Sequence, residues 1–528
     1  MLARCSGAAL RGLEAVEVSV EVDIAPGLPG LQLVGLPDAA VQEARERVRA
    51  AIRNSGLKVP LTRVVVSLAP ADLRKAGPSF DLPIALGLLL ASGQLAPEQL
   101  QGIWSAAELG LDGRLRPIRG VLALAMAARA ASARGLLVPA ANAAEAALVD
   151  GLPVWGAQDL HEVIAVLRDP AQIPPARAAI ALPAASGGPD LGDVRGQPHG
   201  RRALEIAAAG GHHLLLVGAA GSGKTMLARR LPGLLPPLEA AEALELTRLH
   251  SVAGLLLEGG NLISQRPFRS PHHSCSGAAL IGGGTIPMPG EVSLAHHGVL
   301  FLDELAEFRR DVLDQLRQPL EEGDVLISRT RQRCRFPCRI TLVAATNPCP
   351  CGRYGEADGS CQCGESLRRR YWSRLSGPLL DRLDLQVVMR RPAARELANG
   401  LIDSRERASA DAAFREQPET SAVVALRVRQ ARARMAARNP DGGCNAQVAA
   451  EALTQVLALE APGRQLWERA MEQRRLSARG GMRLLRVART IADLAGQPTV
   501  GTAAIAEALT FRSFDLVSCE SPGPLRSG

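Results

Sequence analysis

Residues Gly218 to Thr225 read GAAGSGKT, directly after the apolar run Leu214-Leu215-Leu216-Val217 and before Met226-Leu227-Ala228-Arg229-Arg230. The order is strand, glycine-rich turn, helix, and the spacing G-x-x-x-x-G-K-[ST] has a mechanical reading. Gly218, Gly221 and Gly223, with Ser222 between them, let successive backbone N–H groups curl around phosphate oxygens. Lys224 then reaches the β and γ oxygens and the Thr225 hydroxyl ligates Mg²⁺. The helix N-terminus adds its own partial positive charge. A nucleoside triphosphate is the expected ligand.

The chain is 528 residues long, which corresponds to about three or four domains. Its apolar fraction of 47% is enough for real cores, and no uninterrupted apolar run approaches the roughly 18 residues of a membrane span. The opening MLARCSGAAL carries an Arg but no long apolar region of the secretory kind. The cytoplasm is the expected compartment, with no membrane partner. Of ten cysteines, four crowd between Cys349 and Cys363, which argues against a secreted disulfide framework. The net charge of +8 leans toward an anionic partner, although a mild excess on a long chain also describes an ordinary solvated surface.

Three blocks follow from composition. In the first, Val16-Glu17-Val18-Ser19-Val20-Glu21-Val22 alternates with the period of a half-buried strand. Asp38 is placed to cap a helix running to Asn54, and Leu61 to Leu68 reads as a further strand. A Pro-, Ala- and Gly-rich stretch from Asp169-Pro170 to about Gly188 reads as a linker. The second block carries the phosphate loop. The last, from about Ser421 to Ser513, is helical, with breaks at Asn439-Pro440-Asp441-Gly442-Gly443 and at Pro462-Gly463.

The middle block supplies the rest of a hydrolytic site. Gly298-Val299-Leu300-Phe301-Leu302 is an apolar strand ending in two carboxylates. Asp303 is suited to hold Mg²⁺ through water and Glu304 to polarise the attacking water. A second strand, Ile340 to Ala345, ends in Thr346-Asn347, where Asn347 can orient that water or contact the γ-phosphate.

Asp193-Val194-Arg195-Gly196-Gln197, the GAAGSGKT loop, LFLDE, ATNP and SGPLLDRLD together resemble the magnesium-chelatase-like group of AAA+ ATPases. RPFRSPHHS at Arg266 to Ser274, NPCPCG at Asn347 to Gly352 and LSAR at Leu476 to Arg479 extend the resemblance over nearly the whole chain, to the ComM (YifB) competence-protein family. The resemblance implies an α/β fold: a Lon-like (ribosomal-S5-type) domain over 1–167, a linker over 168–189, an AAA+ core with a parallel sheet over 190–391, a helical lid over 392–515 and a tail over 516–528. It implies ATP and Mg²⁺ as cofactors and no other small-molecule substrate. It also implies a hexameric ring that moves on single-stranded or branched DNA and aids branch migration in natural transformation. Arg382 matches the arginine finger that reaches a neighbouring subunit's nucleotide, with an ion pair to Asp381 or Asp384 as the plain alternative. Arg479 matches the second sensor arginine, with Arg483 close enough to compete. Gln197 is placed near the adenine.

Just before the Asn347 strand, Ile327 to Phe336 alternates, so that in an extended segment Arg329, Arg331, Arg333 and Arg335 project to one face. Four guanidinium groups on one edge suit a phosphate backbone, and in the wider group this position resembles a hairpin that points into the ring's pore. A charged, solvated edge strand is the alternative. Cys349, Cys351, Cys361 and Cys363, spaced C-x-C-x9-C-x-C, can close a structural zinc site or remain reduced thiols. His272, His273, His296 and His297 come in adjacent pairs, which favours polar loop roles over metal ligation.

The first block resembles the proteolytic domain of Lon-type enzymes. Lys75-Ala76-Gly77-Pro78-Ser79 looks like its serine loop, and Glu108 to Leu122 like the segment that carries the partner lysine. Leu122 stands at that lysine's place. A serine without its base is a poor nucleophile, so no peptidase activity is expected. The expectation is therefore an ATP-driven ring motor on DNA, with a chelatase-type motor acting on a protein partner as the alternative.

Overall fold

The computed structural model describes residues 2–178, 188–256, 261–329, 332–356, 359–392 and 418–512. It is a mixed α/β protein with two large sheets and, among the described residues, three two-stranded ribbons. In the first, seven strands lie in the order Gly30–Val34, Arg63–Ala69, Glu14–Ala25, Leu2–Arg11, Ile103–Ser105, Gly135–Pro139, Val154–Ala157. The period-two expectation holds there: Val18, Val20 and Val22 are fully buried, while Glu17 faces solvent. Helix Ala39–Asn54 starts where Asp38 caps it, the carboxylate accepting from the Val41 N–H at 2.9 Å. Helix Asp81–Ala91 is apolar on every side, and all of its residues are buried. Gly87 on that helix permits the close approach, because a Cβ there would stand 2.6 Å from Val22 Cγ2.

The second sheet has five strands, all parallel, in the order Phe268–Arg269, Val299–Leu302, Thr341–Thr346, Leu214–Gly218, Leu385–Met389. Parallel sheets are covered on both faces, so their strands read as continuous apolar runs. Leu214, Leu216, Phe301, Val343 and Ala345 face one core with helix Pro198–Gly210 and the C-terminal helices. Leu215, Val217, Leu300, Leu302, Leu342 and Ala344 face another, with helix Ala240–Ala253 and the segment around Leu383. Every strand's C-terminal end opens on the same edge of this sheet, which is where a doubly covered sheet binds ligands.

The C-terminal helices are Ser421–Arg438, Ala450–Leu457, Ala461–Gln473, Ala478–Leu494 and Thr502–Thr510. The expected break at Pro462-Gly463 is a helix start, with Pro462 in the first turn where its missing N–H costs nothing. Residues just past helix Leu160–Arg168, expected to be linker, are fastened to the first sheet: Ala176 N–H donates to Val154 O at 2.7 Å and Trp155 Nε1 to Ile173 O at 3.0 Å. The expected tail over 516–528 lies outside the described residues, as does 393–417. Among the described residues no helix is long and apolar enough to cross a membrane.

Among the described residues the two sheet units touch around Ser251 and around Gly12. Gly120 N–H donates to Ser251 O at 3.1 Å, and the Ser251 hydroxyl hydrogen-bonds the buried Glu145 carboxylate. Elsewhere the turn at Gly12 meets Cys334, and Leu13 joins one apolar cluster with Val325, Ile327, Cys334 and Phe336.

Candidate nucleotide site

Strand Leu214–Gly218 runs straight into the phosphate loop, and helix Lys224–Ala228 leaves it. Gly221 and Gly223 adopt φ of +78° and +90°, which side chains with a Cβ tolerate poorly. At Gly218 a Cβ would stand 2.6 Å from the Met389 carbonyl oxygen. The loop, Asp303, Glu304, Thr346 and Asn347 line a cavity of about 390 Å³. Lys224 Nζ donates to the carbonyls of Gly218 at 2.6 Å and Ala219 at 2.9 Å, and to Asn347 Oδ1 at 3.2 Å. Burial pushes its pKa down, while the charges of Asp303 and Glu304 oppose that shift.

The Thr225 hydroxyl donates to Asp303 Oδ2 at 2.9 Å, placing together the two groups expected at Mg²⁺. Glu304 is a non-glycine residue at φ +51°. A left-handed conformation of this kind stores roughly 1–3 kcal/mol and persists where surrounding structure imposes it. Its carboxylate lies 3.2 Å from His273 Nδ1, and its backbone N–H donates to Asp303 Oδ1 at 2.9 Å. Gln197 is buried, its amide donating to Ser222 O at 3.1 Å and Arg390 O at 2.5 Å. It ties the loop to the end of strand Leu385–Met389.

Neither the expected finger Arg382 nor the expected sensor Arg479, nor its competitor Arg483, lines this cavity. Arg382 is only 7% exposed and pairs with Glu321 at 2.7 Å, instead of Asp381 or Asp384. Arg479, half exposed, reaches the same Glu321 oxygen at 3.3 Å. Arg483 is occupied with Asp384 and the Arg382 carbonyl, both at 2.7 Å. Burial alone would raise the Asp384 pKa, but the His212 hydrogen bond and the Arg483 charge hold it well below the carboxylate range.

Strands Asp324–Arg329 and Gln332–Pro337 form an antiparallel hairpin immediately before strand Thr341–Thr346. Arg333 and Arg335 are exposed on one face and Cys334 and Phe336 buried on the other. Arg335 forms an ion pair with Asp324. The single extended segment expected to carry all four arginines is instead two antiparallel strands, one ending at Arg329 and the next starting at Gln332, so only Arg333 and Arg335 are shown on a shared face. Arg331 lies outside the described residues, and of Arg329 only the backbone is described.

Three models of magnesium-chelatase families match this chain: "Magnesium chelatase, subunit ChlI" over 190–397, "Subunit ChlI of Mg-chelatase" over 20–142 and "Magnesium chelatase, subunit ChlI C-terminal" over 418–512. Competence protein ComM of Haemophilus influenzae is 43% identical over 506 residues, 95% of this chain and 96% of that protein. The uncharacterized protein YifB of Escherichia coli is 43% identical over 508 residues, 96% of each chain. The chain belongs to the ComM/YifB family of magnesium-chelatase-like proteins. Likeness to the magnesium-chelatase 38 kDa subunit of Cereibacter sphaeroides is lower, 25% over 234 residues, 41% of this chain and 64% of that protein. For a magnesium-chelatase-like AAA+ family the associated activity is ATP hydrolysis, with ATP and Mg²⁺.

In this member of the family, the RSPHHS segment contributes what spacing did not reveal. His272 Nδ1 lies 2.8 Å from the Ser274 hydroxyl, whereas His273 turns to Glu304. The adjacency of strands Phe268–Arg269 and Val299–Leu302 brings them together, and it could be found only by knowing the strand order. His296 and His297 both lie 3.1 Å from Glu245, and the two rings hold its carboxyl far below the usual range. His296 Nδ1 accepts the Arg339 N–H at 2.9 Å, a structural role. Glu321 gave no signal in the sequence, since it sits in an unremarkable acidic pair at the end of helix Arg317–Glu322.

Proposed function

We propose that this chain is an ATP-driven motor that assembles as a ring, a hexamer by family likeness, and moves on single-stranded or branched DNA, promoting branch migration of incoming DNA. The name of the Haemophilus relative supports a link to competence. The observation that carries the reading is the hairpin: Arg333 and Arg335 share an exposed face directly ahead of the strand that ends in Asn347. A hairpin continuous with that strand is able to convert a change at the nucleotide into a shift of phosphate-binding groups.

In this reading Lys224 neutralises the β and γ oxygens, and Thr225 and Asp303 hold Mg²⁺. Glu304 polarises the attacking water, released from His273 when nucleotide enters. Asn347 orients that water. Arg382 and Arg479 complete a neighbour's site, and an in-trans arginine makes hydrolysis depend on assembly. Gln197 acts near the base by fixing the loop from behind. The test is ATP turnover without DNA and with single-stranded, duplex and branched DNA. We expect stimulation that an Arg333→Glu/Arg335→Glu protein loses while it still binds a fluorescent ATP analogue. DNA affinity should fall steeply with salt, as phosphate contacts require. Stimulation by a protein partner and not by DNA would instead support the chelatase-type motor, which the lower likeness to the 38 kDa subunit keeps in view.

The first unit, by its Lon-like resemblance, serves as a platform for assembly or DNA contact and not as a peptidase. Leu122 is fully buried in an apolar cluster, and its backbone N–H donates to Glu145 at 3.0 Å. The Lys75 ammonium donates to the Pro70 carbonyl, and burial lowers its pKa. A Ser79→Ala protein should keep its ATPase and DNA-stimulated rates unchanged. A large loss, or peptide cleavage by the wild-type chain, would count against this assignment.

A further inference from the structure

We propose that Cys349, Cys351, Cys361 and Cys363 hold one zinc ion, and that the loop it clamps positions Asn347 against the phosphate loop. The second clause rests on the nucleotide site proposed above; the first does not. The ligand atoms of all four residues lie within 4.8 Å of one another. Cys349 Sγ is 3.3 Å from Cys351 Sγ and 3.7 Å from Cys361 Sγ, and Cys351 and Cys361 are 3.6 Å apart. Four thiolates around zinc at about 2.3 Å stand roughly 3.8 Å apart along each edge of the tetrahedron.

Apolar packing does not account for the convergence. Cys334 and Cys338 belong to an apolar cluster; among the described residues Cys349 and Cys363 are buried outside any such cluster, Cys361 is partly exposed and Cys351 exposed. The backbone amides of Arg353 and Tyr354 stand near the Cys349 sulfur, and that of Arg353 also stands near Cys351. Such amide donors disperse the charge that four thiolates concentrate. Soft sulfur donors in a closed four-ligand set favour zinc in a structural role. With no ligand position left open, the ion does no catalysis.

The clamp has a mechanical address. The loop starts two residues after Asn347 and ends at the foot of helix Glu365–Trp372. That helix grips the same stretch: Trp372 Nε1 donates to Pro348 O at 3.1 Å, the Tyr371 hydroxyl lies 3.2 Å from Thr346 Oγ1, and Arg368 donates to Cys363 O at 2.9 Å. A Cβ at Gly352, where φ is +76°, would stand 3.8 Å from Asn347 Cγ and 4.0 Å from the Ala220 nitrogen. The loop backbone therefore passes close beside both Asn347 and the phosphate loop, within one side-chain atom's reach of each. Between strand and helix, the described residues of 349–363 lie in no helix or strand. Ordering them takes conformational entropy that hydrogen bonds to solvent-exposed backbone do not offset, and metal ligation does.

The test uses the full-length chain, purified without chelator or added metal. Elemental analysis should find about one zinc per chain, released stoichiometrically when a mercurial titrates the thiols. A Cys361→Ser/Cys363→Ser protein should lack it. Should that protein fail to fold, cobalt exchanged into the wild-type chain should give the visible bands of a tetrahedral thiolate site. A zinc-free native chain, an iron chromophore, or zinc retained by the double variant would overturn the metal site. Metal removal should also weaken binding of an ATP analogue at least tenfold and expose 349–363 to protease. Zinc loss without either effect would overturn the positioning role. A Lys224→Ala protein keeps these failures apart, because it should keep zinc and lose the nucleotide; full nucleotide binding by it would sink the nucleotide site and leave the zinc count standing.

Discussion

A Glu304→Gln protein should bind ATP with Mg²⁺ and assemble normally while turnover falls by about 10²–10⁴-fold, the usual contribution of a positioned general base. The amide keeps the shape of the side chain and the backbone at φ +51°, so folding should survive. What goes is the negative charge beside the attacking water. The pair with His273 makes the prediction sharper, because the carboxylate is held 3.2 Å from a ring nitrogen. A variant trapped with ATP bound should fail to move a branched substrate although it still binds DNA. Single-turnover measurement separates the two steps. Normal turnover would remove Glu304 from the mechanism, and lost ATP binding would mean it holds the nucleotide instead of hydrolysing it.

Removing Arg382 should be as severe, since an arginine supplied in trans contributes about 10³–10⁵-fold in related phosphoryl transfers. The structure attaches a condition. In the single chain Arg382 is enclosed against Glu321, which it shares with the half-exposed Arg479. To reach another subunit's nucleotide Arg382 has to leave that carboxylate, whereas Arg479 is already accessible. Mixing two inactive proteins decides the matter. Arg382→Ala retains an intact phosphate loop and Lys224→Ala retains an intact arginine, so mixed rings contain some complete interfaces. Partial recovery of turnover is the expected result. No recovery, with both variants shown to assemble, would assign Arg382 to its own chain. Because Glu321 is over a third exposed, water screens its lost partner and unfolding temperature should shift little. The same mixture with Arg479→Ala ranks the two arginines.

The sequence was most legible where local chemistry dictates structure. The phosphate loop declared its strand and helix, Asp38 its helix, and Val18 to Val22 their alternation, because each depends on neighbours within a few residues. The hairpin was half legible: alternation assigned Arg333 and Arg335 to one face, but not that Cys334 and Phe336 opposite them would lie under the first unit's turn. Long-range partnerships were hidden. His273 with Glu304 follows from strand order, and Glu321 with Arg382 and Arg479 brings together residues more than 60 and 150 positions apart. No spacing rule encodes them. The cysteines are intermediate, since their spacing announces a cluster and only the folded loop shows that it passes beside Asn347.

The seat of the hairpin on Gly12 limits how the hairpin can travel. Cys334 and Phe336 are almost wholly enclosed, and a Cβ at Gly12 would stand 3.1 Å from Cys334 Cβ. Sliding the hairpin alone would strip cover from Phe336, at roughly 1.5–3 kcal/mol for a side chain of that kind, and from its neighbours in the same cluster. A stroke of any length is therefore less costly if the tip of the first sheet rides along. If the proposed motor moves the hairpin, the displacement at the Gly12 tip passes into a seven-stranded sheet that ends at the edge strand Val154–Ala157.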